Sequence, residues 1–246
     1  MAITSLNALI ASVSSNKKWR TDFNKITGAS AYTAGRAYDM SALNGHPIAN
    51  AWAGTALTFT ECDEATGNGT QIFGIRHGGN VSTDIKHMLN LGAITTAATG
   101  VPSTLYLVDI EGYWPTVSNN TTSAQTLSGT PSLRATNGEG LRLYWVQTAV
   151  AGATAQNINI SYTDQAGNTG NTLPVTTAMT ASAIVGHISH AGIAANNYTP
   201  FLPLASGDYG VRNVASVTFS AANTGTGALV LAKPLMEIPI GVVSMY

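Results

Sequence analysis

The chain has very little charge. Charged residues make up 9% of its 246 residues, whereas a typical soluble protein carries about 25%. Hydrophobic residues make up 44%, so a full core is available, and Thr, Ser, Asn, Gly and Ala must cover most of the surface. Such a surface is typical of a protein that is secreted or buried in an assembly. It disfavours a free cytoplasmic enzyme, which relies on net charge for solubility.

Other absences exclude further classes of protein. The single cysteine, Cys62, excludes an internal disulfide. The formal net charge is −1, and basic residues cluster only at Lys17, Lys18 and Arg20, so no nucleic-acid partner is expected. No apolar run reaches the roughly 18 residues of a membrane span. The amino terminus lacks a positive charge before its apolar stretch, which makes it a poor export signal. We expect neither a membrane partner nor export.

The first segment has the periodicity of an amphipathic helix. Its apolar residues lie at i, i+3, i+4 and i+7 and form one stripe, and Ser5 can cap the helix start. The stripe must pack either on the chain's own domain or on a neighbouring subunit or shell. The predicted partner interface consists of this stripe and the residues that follow it: Leu6, Leu9, Ile10, Val13, Lys17, Lys18, Trp19 and Arg20.

Strand patterns dominate the rest of the chain, apart from a second helix predicted from Ser82 to Leu91. Residues 112–115 are expected to turn the chain after the third strand. Short strands between Gly, Asn and Pro turns predict a mainly β fold, a β-sandwich or jelly roll, with a short N-terminal helix or arm and one small additional helix. The predicted strands cover residues 56–60, 71–76, 103–110, 141–148, 157–163, 183–188, 214–220 and 228–232.

Composition also suggests how the chain is divided. Residues 1–28 are predicted to form an N-terminal helix or arm, and residues 29–246 a single β-sandwich domain. A stretch rich in Ser, Thr and Asn near 117–130 is predicted to be a long loop.

Three stretches resemble structural proteins of tailed-bacteriophage virions. One is Tyr-Thr-Asp-Gln-Ala-Gly at 162–167, which lies between two predicted strands. Another runs from Pro-Phe-Leu-Pro-Leu at 200–204 through Gly-Asp-Tyr-Gly-Val-Arg at 207–212 to Leu-Ala-Lys-Pro-Leu at 231–235. The third is Leu-Val-Asp-Ile-Glu-Gly-Tyr-Trp-Pro at 107–115. Together they lie within residues 105–235, about half of the chain.

The resemblance implies a particular kind of subunit. It would be a cement or decoration protein of the phage head, a β-sandwich and a homotrimer. Its partner would be the major capsid protein, and its location the head surface of a virion made in the host cytoplasm. Within the resemblance, Gly207, Asp208, Gly210 and Arg212 are interpreted as a structural turn or an intersubunit contact. The glycines allow a tight bend, and Asp208 can hydrogen-bond the turn or pair with Arg212.

Residues with catalytic or metal-binding chemistry do not form a convincing site. His187 and His190 have a metal-like spacing, but on a strand they point to opposite faces. Asp109 and Glu111 imitate a glycosidase pair, yet two carboxylates on one strand more often form a polar face. An acidic group at Glu61, Asp63 and Glu64 lacks the spacing of a calcium-binding loop. No catalytic residue, cofactor, metal or small-molecule substrate is predicted.

Two other functions stay open at this point. A tail-fibre tip or carbohydrate-binding module would use exposed tryptophans as sugar platforms, and the candidates are Trp19, Trp52, Trp114 and Trp145. A lytic enzyme would need acids or a nucleophile that the sequence does not reveal.

Overall fold

The computed structural model describes residues 5–14, 20–26, 36–62, 73–76, 87–95, 103–189 and 199–240. One α-helix, α1 (Leu6–Ser14), lies in this part of the chain, with 3₁₀ turns at Met40–Ala42 and Thr136–Gly138. The strands are β1 (Asn24–Lys25), β2 (Ala37–Tyr38), β3 (Gly45–His46), β4 (Thr60–Glu61), β5 (Ser103–Ser118), β6 (Gln125–Thr126), β7 (Arg142–Ala149), β8 (Gln156–Asp164), β9 (Asn171–Thr172), β10 (Thr177–Met179), β11 (His187–Ser189), β12 (Val211–Phe219) and β13 (Thr226–Ile240).

Two antiparallel sheets make the body of the molecule. A five-stranded sheet has the order β10-β8-β12-β6, with β9 added to β8. A six-stranded sheet has the order β2-β11-β7-β13-β5-β4. The predicted mainly β class and the sandwich are confirmed, while the jelly-roll variant stays a prediction.

The centre of the six-stranded sheet, formed by β7 and the first half of β13, is buried on both faces, because one core lies on each side of it. The inner core joins it to the other sheet through side chains such as Trp114, Trp145 and Leu231, with Trp145 edge-on to Phe219 of β12 at 5.4 Å between ring centroids. The outer core lies on the opposite face and includes Tyr144. Burial on both faces explains why β7 reads as a nearly continuous apolar run.

The predicted turn at residues 112–115 is wrong, because β5 continues through it to Ser118. Successive side chains Tyr113 and Trp114 enter the outer and inner cores, so pairing with β13 outweighs the local turn signal. Gly112 is required by close packing, since a Cβ there would lie 2.5 Å from the carbonyl oxygen of Thr60 in β4.

Other local predictions are confirmed in part. Strands at 141–148, 157–163, 214–220 and 228–232 correspond to β7, β8, β12 and β13, although β13 is longer than predicted. The predicted strand 56–60 shrinks to β4, and 183–188 to β11. Residues 73–76 are not a strand, and 71–72 lie outside the described residues. The predicted loop near 117–130 begins within β5 and contains β6, which pairs with β12.

The helix predictions have different outcomes. The first corresponds to α1, and Ser5 caps it as expected, since its Oγ accepts from the backbone N–H of Ala8 at 3.2 Å. The second is wrong where it can be compared, because His87–Leu91 are not helical. Ser82–Lys86 lie outside the described residues. No described helix is long and apolar enough to cross a membrane.

Candidate interaction surface

The strand β13 passes through two environments. From Gly227 to Ala232 every residue is buried, and β13 pairs with β7 on one side and β5 on the other. The pairing with β7 ends at Ala232, but β13 continues with β5 as far as Ile240. Residues 103–110 and 233–240 therefore form a two-stranded extension, here called the ribbon, which pairs with no other strand among those described.

The two faces of the ribbon have different surroundings. Directly opposite residues of an antiparallel pair share a face. The register pairs Leu107 with Met236 and Leu105 with Ile238. These four apolar side chains, here called the ribbon face, belong to neither core, and none of them is fully buried.

The opposite face of the ribbon packs on the outer core. Tyr106, Val108 and Ile110 pack against the outer core. The ring of Tyr106 lies edge-on to that of Phe201 at 6.2 Å between centroids. The ribbon is thus anchored on one face, whereas on the other face Met236 is 40% exposed and the remaining three side chains are half-buried.

A second apolar surface is the stripe of α1. No residue of the helix is buried, and Leu6 and Ile10 are 70% and 56% exposed. Val13 is also exposed, and Leu9 is half-buried. Of the basic residues predicted to extend this surface, Arg20 is exposed. Lys17, Lys18 and Trp19 lie outside the described residues.

The predicted structural turn is held by hydrogen bonds to Tyr162 near the end of β8 and to Gln165 just after it. These contacts are here called the clasp. The carboxylate of Asp208 accepts from the hydroxyl of Tyr162 at 2.7 Å, and that hydroxyl accepts from the N–H of Ala205 at 2.8 Å. Burial and the hydrogen bond to Asp208 raise the pKa of Tyr162 to about 12. Asp208 is therefore held by Tyr162, whereas Arg212 binds elsewhere.

Gln165 completes the clasp. Its side-chain oxygen accepts from the N–H groups of Tyr209 and Gly210, both at 3.1 Å. Its backbone oxygen accepts two hydrogen bonds from the guanidinium of Arg212, at 2.7 and 3.1 Å. Sequence reasoning missed Tyr162 and Gln165 as partners of this turn. No local pattern signals these contacts, because they join residues more than forty positions apart in the chain.

Glycine is required at two positions of the turn, for a different reason at each. Gly207 has φ +93°, in the region that favours glycine. Gly210 permits a close backbone approach, because a Cβ there would lie 2.2 Å from the carbonyl oxygen of Gly138. Through these contacts the turn connects the five-stranded sheet to the loop that precedes β7. Tyr209 is the exposed side chain at its tip.

A charged cluster marks the base of the ribbon. Glu111 is 2% exposed, and its carboxylate accepts from the backbone N–H groups of Arg134 at 3.1 Å and Ala135 at 3.2 Å. The Arg134 guanidinium lies 3.5 Å from Glu111 and 2.8 Å from Asp109. Both carboxylates of the supposed glycosidase pair are thus engaged by one arginine.

Cys62 lies next to this cluster, and its backbone oxygen accepts from Arg134 at 2.7 Å. Burial raises the pKa of Cys62 to about 12. A thiol with such a pKa is protonated at neutral pH, which suits a packing role and not a nucleophile.

The remaining chemical candidates are described only in part. His187 is buried on β11 with its ring 5.4 Å from that of Tyr38, and His190 lies outside the described residues. Glu61 is on β4, whereas Asp63 and Glu64 are outside. In the part of the chain that the structure describes, no group of three His, Cys, Asp or Glu side chains is placed to hold a metal ion.

The tryptophans bear on sugar binding. Trp52, Trp114 and Trp145 are all buried, so they offer no exposed platform for stacking a sugar ring. Trp19 lies outside the described residues.

Comparison with known proteins finds no match to a protein-family model, to a curated protein or to a solved structure.

Proposed function

We propose that the protein is a virion structural protein of the cement or decoration type, which binds and stabilises a phage head shell. The observation that carries the proposal is the ribbon. Its four apolar side chains belong to neither core, and Met236 among them is 40% exposed, as is the neighbouring Leu235 at 51%. Exposed contiguous apolar surface of this kind is typical of sites where proteins associate.

Composition and resemblance support the same proposal. The low content of charged residues suits a surface that becomes buried in a lattice. The stretches that resemble virion proteins include residues 107–115 and 231–235, which form parts of the ribbon and its base. The resemblance also implies a homotrimer and the major capsid protein as the partner.

Location in the particle is the test of this proposal. Immunogold labelling with an antibody against the chain is applied to purified particles of the phage that encodes it. Gold on the head surface is the expected result. Gold confined to the tail, or particles that lack the chain, would contradict a head-shell role.

Salt resistance is a second consequence. Contacts made by apolar side chains are insensitive to screening, whereas ion pairs between exposed groups weaken as the Debye length falls from about 10 Å at 0.1 M salt to about 3 Å at 1 M. We expect the chain to stay on its particles across this range. Release by moderate salt, detected by pelleting the particles, would show that charge holds it there.

The alternative of a tail-fibre tip or carbohydrate-binding module gains no support from the buried tryptophans. A glycan array probed with the purified chain is expected to show no binding. Saturable binding to a defined glycan would favour that alternative.

A further inference from the structure

We infer that a cavity between β2 and the loop of residues 180–186, which joins β10 to β11, binds a small oxyanion: a phosphate, sulfate or carboxylate group. Arg36 is the residue that recognises its charge. The cavity is lined by neither the ribbon nor the α1 stripe. The inference therefore does not depend on the proposed function, and it adds a ligand site to the chain.

The cavity has the size of a site for a small ligand. Its volume is about 290 Å³, close to the lower end of the roughly 300–1,000 Å³ of small-molecule sites. The β2 edge of the six-stranded sheet forms one wall, and the 180–186 loop forms the other. Its polar lining consists of Arg36, Tyr38, Thr180, Ser182 and His187, and the other three lining residues are apolar.

The lining carries a positive charge without a matching negative one. Arg36 is half-buried, and neither Asp nor Glu lines the cavity. The carboxylate of Asp39 is engaged elsewhere, since its oxygens accept from the N–H of Ser41 at 2.7 Å and from the hydroxyl of Tyr144 at 3.0 Å. Arg36 makes no ion pair with any described residue. A guanidinium in this position attracts an anionic ligand.

The guanidinium of Arg36 is held in place and keeps most of its donors. Its Nη1 donates to Oγ1 of Thr180 at 2.7 Å. A guanidinium has five N–H donors in a planar fork that matches the oxygens of a carboxylate or phosphate, so the others remain available. Because Oγ1 of Thr180 accepts this bond, its own hydroxyl hydrogen can be donated to the same ligand. The hydroxyl of Ser182 makes no hydrogen bond with a described residue and supplies a further donor.

The loop wall of the cavity is fixed by the neighbouring loop between β7 and β8. The N–H of Ser182 donates to the oxygen of Gly152 at 2.7 Å, and the N–H of Ala151 donates to the oxygen of Ala183 at 2.9 Å. Ser182 has φ +53°, in the left-handed region that few residues other than glycine adopt. Such strain persists only where the surroundings impose it, and it clusters at ligand sites.

The β2 wall is fixed as well. Tyr38 pairs with His187 of β11, and their rings lie 5.4 Å apart between centroids. The N–H of the next residue, Asp39, donates to the oxygen of Gly186 at 2.8 Å. Both walls are thus in place without a ligand, so binding requires little further ordering of the chain.

Titration of the ¹⁵N-labelled full chain with inorganic phosphate tests the site, with TROSY spectra as the readout and sodium chloride used to keep the ionic strength constant. The amides of residues 180–184 and of Tyr38 are expected to shift together and to saturate, whereas those of the ribbon stay unchanged. Sulfate and acetate are titrated in the same way. Tighter binding of a tetrahedral anion identifies a phosphate or sulfate group as the ligand, and tighter binding of acetate identifies a carboxylate.

Substitution of Arg36 tests its assigned role. Arg36→Gln is expected to weaken phosphate binding by at least about tenfold, because it removes charge-assisted hydrogen bonds. Arg36→Lys keeps the charge but not the fork, so a smaller loss is expected. Arg76→Gln is the charge-matched control, since Arg76 is exposed and does not line the cavity, and it should bind phosphate as the wild type does.

Ser182→Gly separates binding from folding. It removes a donor to the ligand, and glycine adopts the φ of this position without strain. We expect weaker phosphate binding at an unchanged urea midpoint. If the Arg36–Thr180 bond serves only to tie β2 to the loop, Arg36→Gln lowers the midpoint and no anion binds to the wild type.

Chemical protection needs no variant. Phenylglyoxal modifies arginine side chains, and peptide mass spectrometry of the unaltered chain measures the modified fraction at each site. Phosphate is expected to protect Arg36 and to leave Arg76 reactive. The inference is overturned if none of the three anions gives saturable shifts, if sodium chloride alone reproduces them, if Arg36→Gln binds phosphate like the wild type, or if both arginines are protected equally.

Discussion

The two halves of β13 are both rich in apolar residues, but their surroundings are opposite. The first half, Gly227–Ala232, is apolar and fully buried between β5 and β7. The second half, 233–240, is also rich in apolar residues but is mostly exposed, and it pairs only with β5 among the described strands. Apolar content therefore does not distinguish a strand that makes the core of its own chain from one that is available to another chain. What separates them is the point at which the pairing with β7 stops, at Arg142, the first residue of β7.

The comparison is tested most strongly by two leucines four residues apart on this strand. Leu231 is 0% exposed, and Leu235 is 51% exposed. Leu231→Ala is expected to reduce the free energy of unfolding by about 2–5 kcal/mol, because it removes a packed side chain and leaves a cavity. Leu235→Ala is expected to change it by no more than about 0.5 kcal/mol. Urea denaturation of both variants measures the difference, and equal losses would refute the division of β13.

The reactivity of Cys62 tests whether the chain is buried at the β4 edge of the six-stranded sheet. Cys62 directly follows β4, which is the edge strand. Burial raises the pKa of Cys62 from its ordinary 9.0 to about 12. The thiolate is the reactive form, so at pH 8 its population falls about a thousandfold. Alkylation of the native chain should be slower than that of the urea-unfolded chain by about this factor. Equal rates would place Cys62 in open solvent.

The base of the ribbon is the next position to probe. Glu111→Gln is expected to cost about 1–3 kcal/mol, because an amide nitrogen would replace one oxygen that accepts from a buried N–H group. Asp109→Asn is the matched control, since Asp109 contacts the same Arg134 but its side chain is 44% exposed. Its cost should stay below about 1 kcal/mol. Thermal unfolding compares the pair, and a larger loss for Asp109→Asn would contradict the assigned burial.

The clasp within the sandwich gives the smallest expected effect. Tyr162→Phe removes the hydroxyl shared by Asp208 and Ala205 and is expected to cost about 1 kcal/mol. Tyr209→Phe, at the exposed tip of the same turn, should be neutral within about 0.5 kcal/mol. If the two variants unfold at the same urea concentration, the hydroxyl of Tyr162 does not stabilise the turn.

Local patterns predicted the strands whose own residues show a clear periodicity or a continuous apolar run. Strict alternation in β8 and the apolar run of β7 are signals within a few residues, and Ser5 is a local cap. The prediction of a turn at residues 112–115 was wrong because it also relied on local residue types. Gly112 reads as a breaker, but its lack of a side chain serves the close approach of β4.

The candidate surface was predicted less well, because it depends on long-range pairing. The α1 stripe follows from spacing alone and was recognised. The ribbon face requires the register of Leu107 with Met236 across more than a hundred residues, and it requires that β7 begins only at Arg142, opposite Ala232. No local pattern contains that information. The Asp208–Tyr162 contact is hidden for the same reason.

Hydrogen exchange along β13 tests the central claim most directly, because a single peptide map reports both halves at once. The account predicts that amides in Ala228–Ala232 exchange slowly at every protein concentration, whereas those of Met236–Ile238 exchange quickly in the dilute chain and become protected as it assembles. Equal, concentration-independent protection of both halves would show that the ribbon belongs to the fold of the single copy. Fast exchange of the ribbon at every concentration would show that it is not an assembly surface.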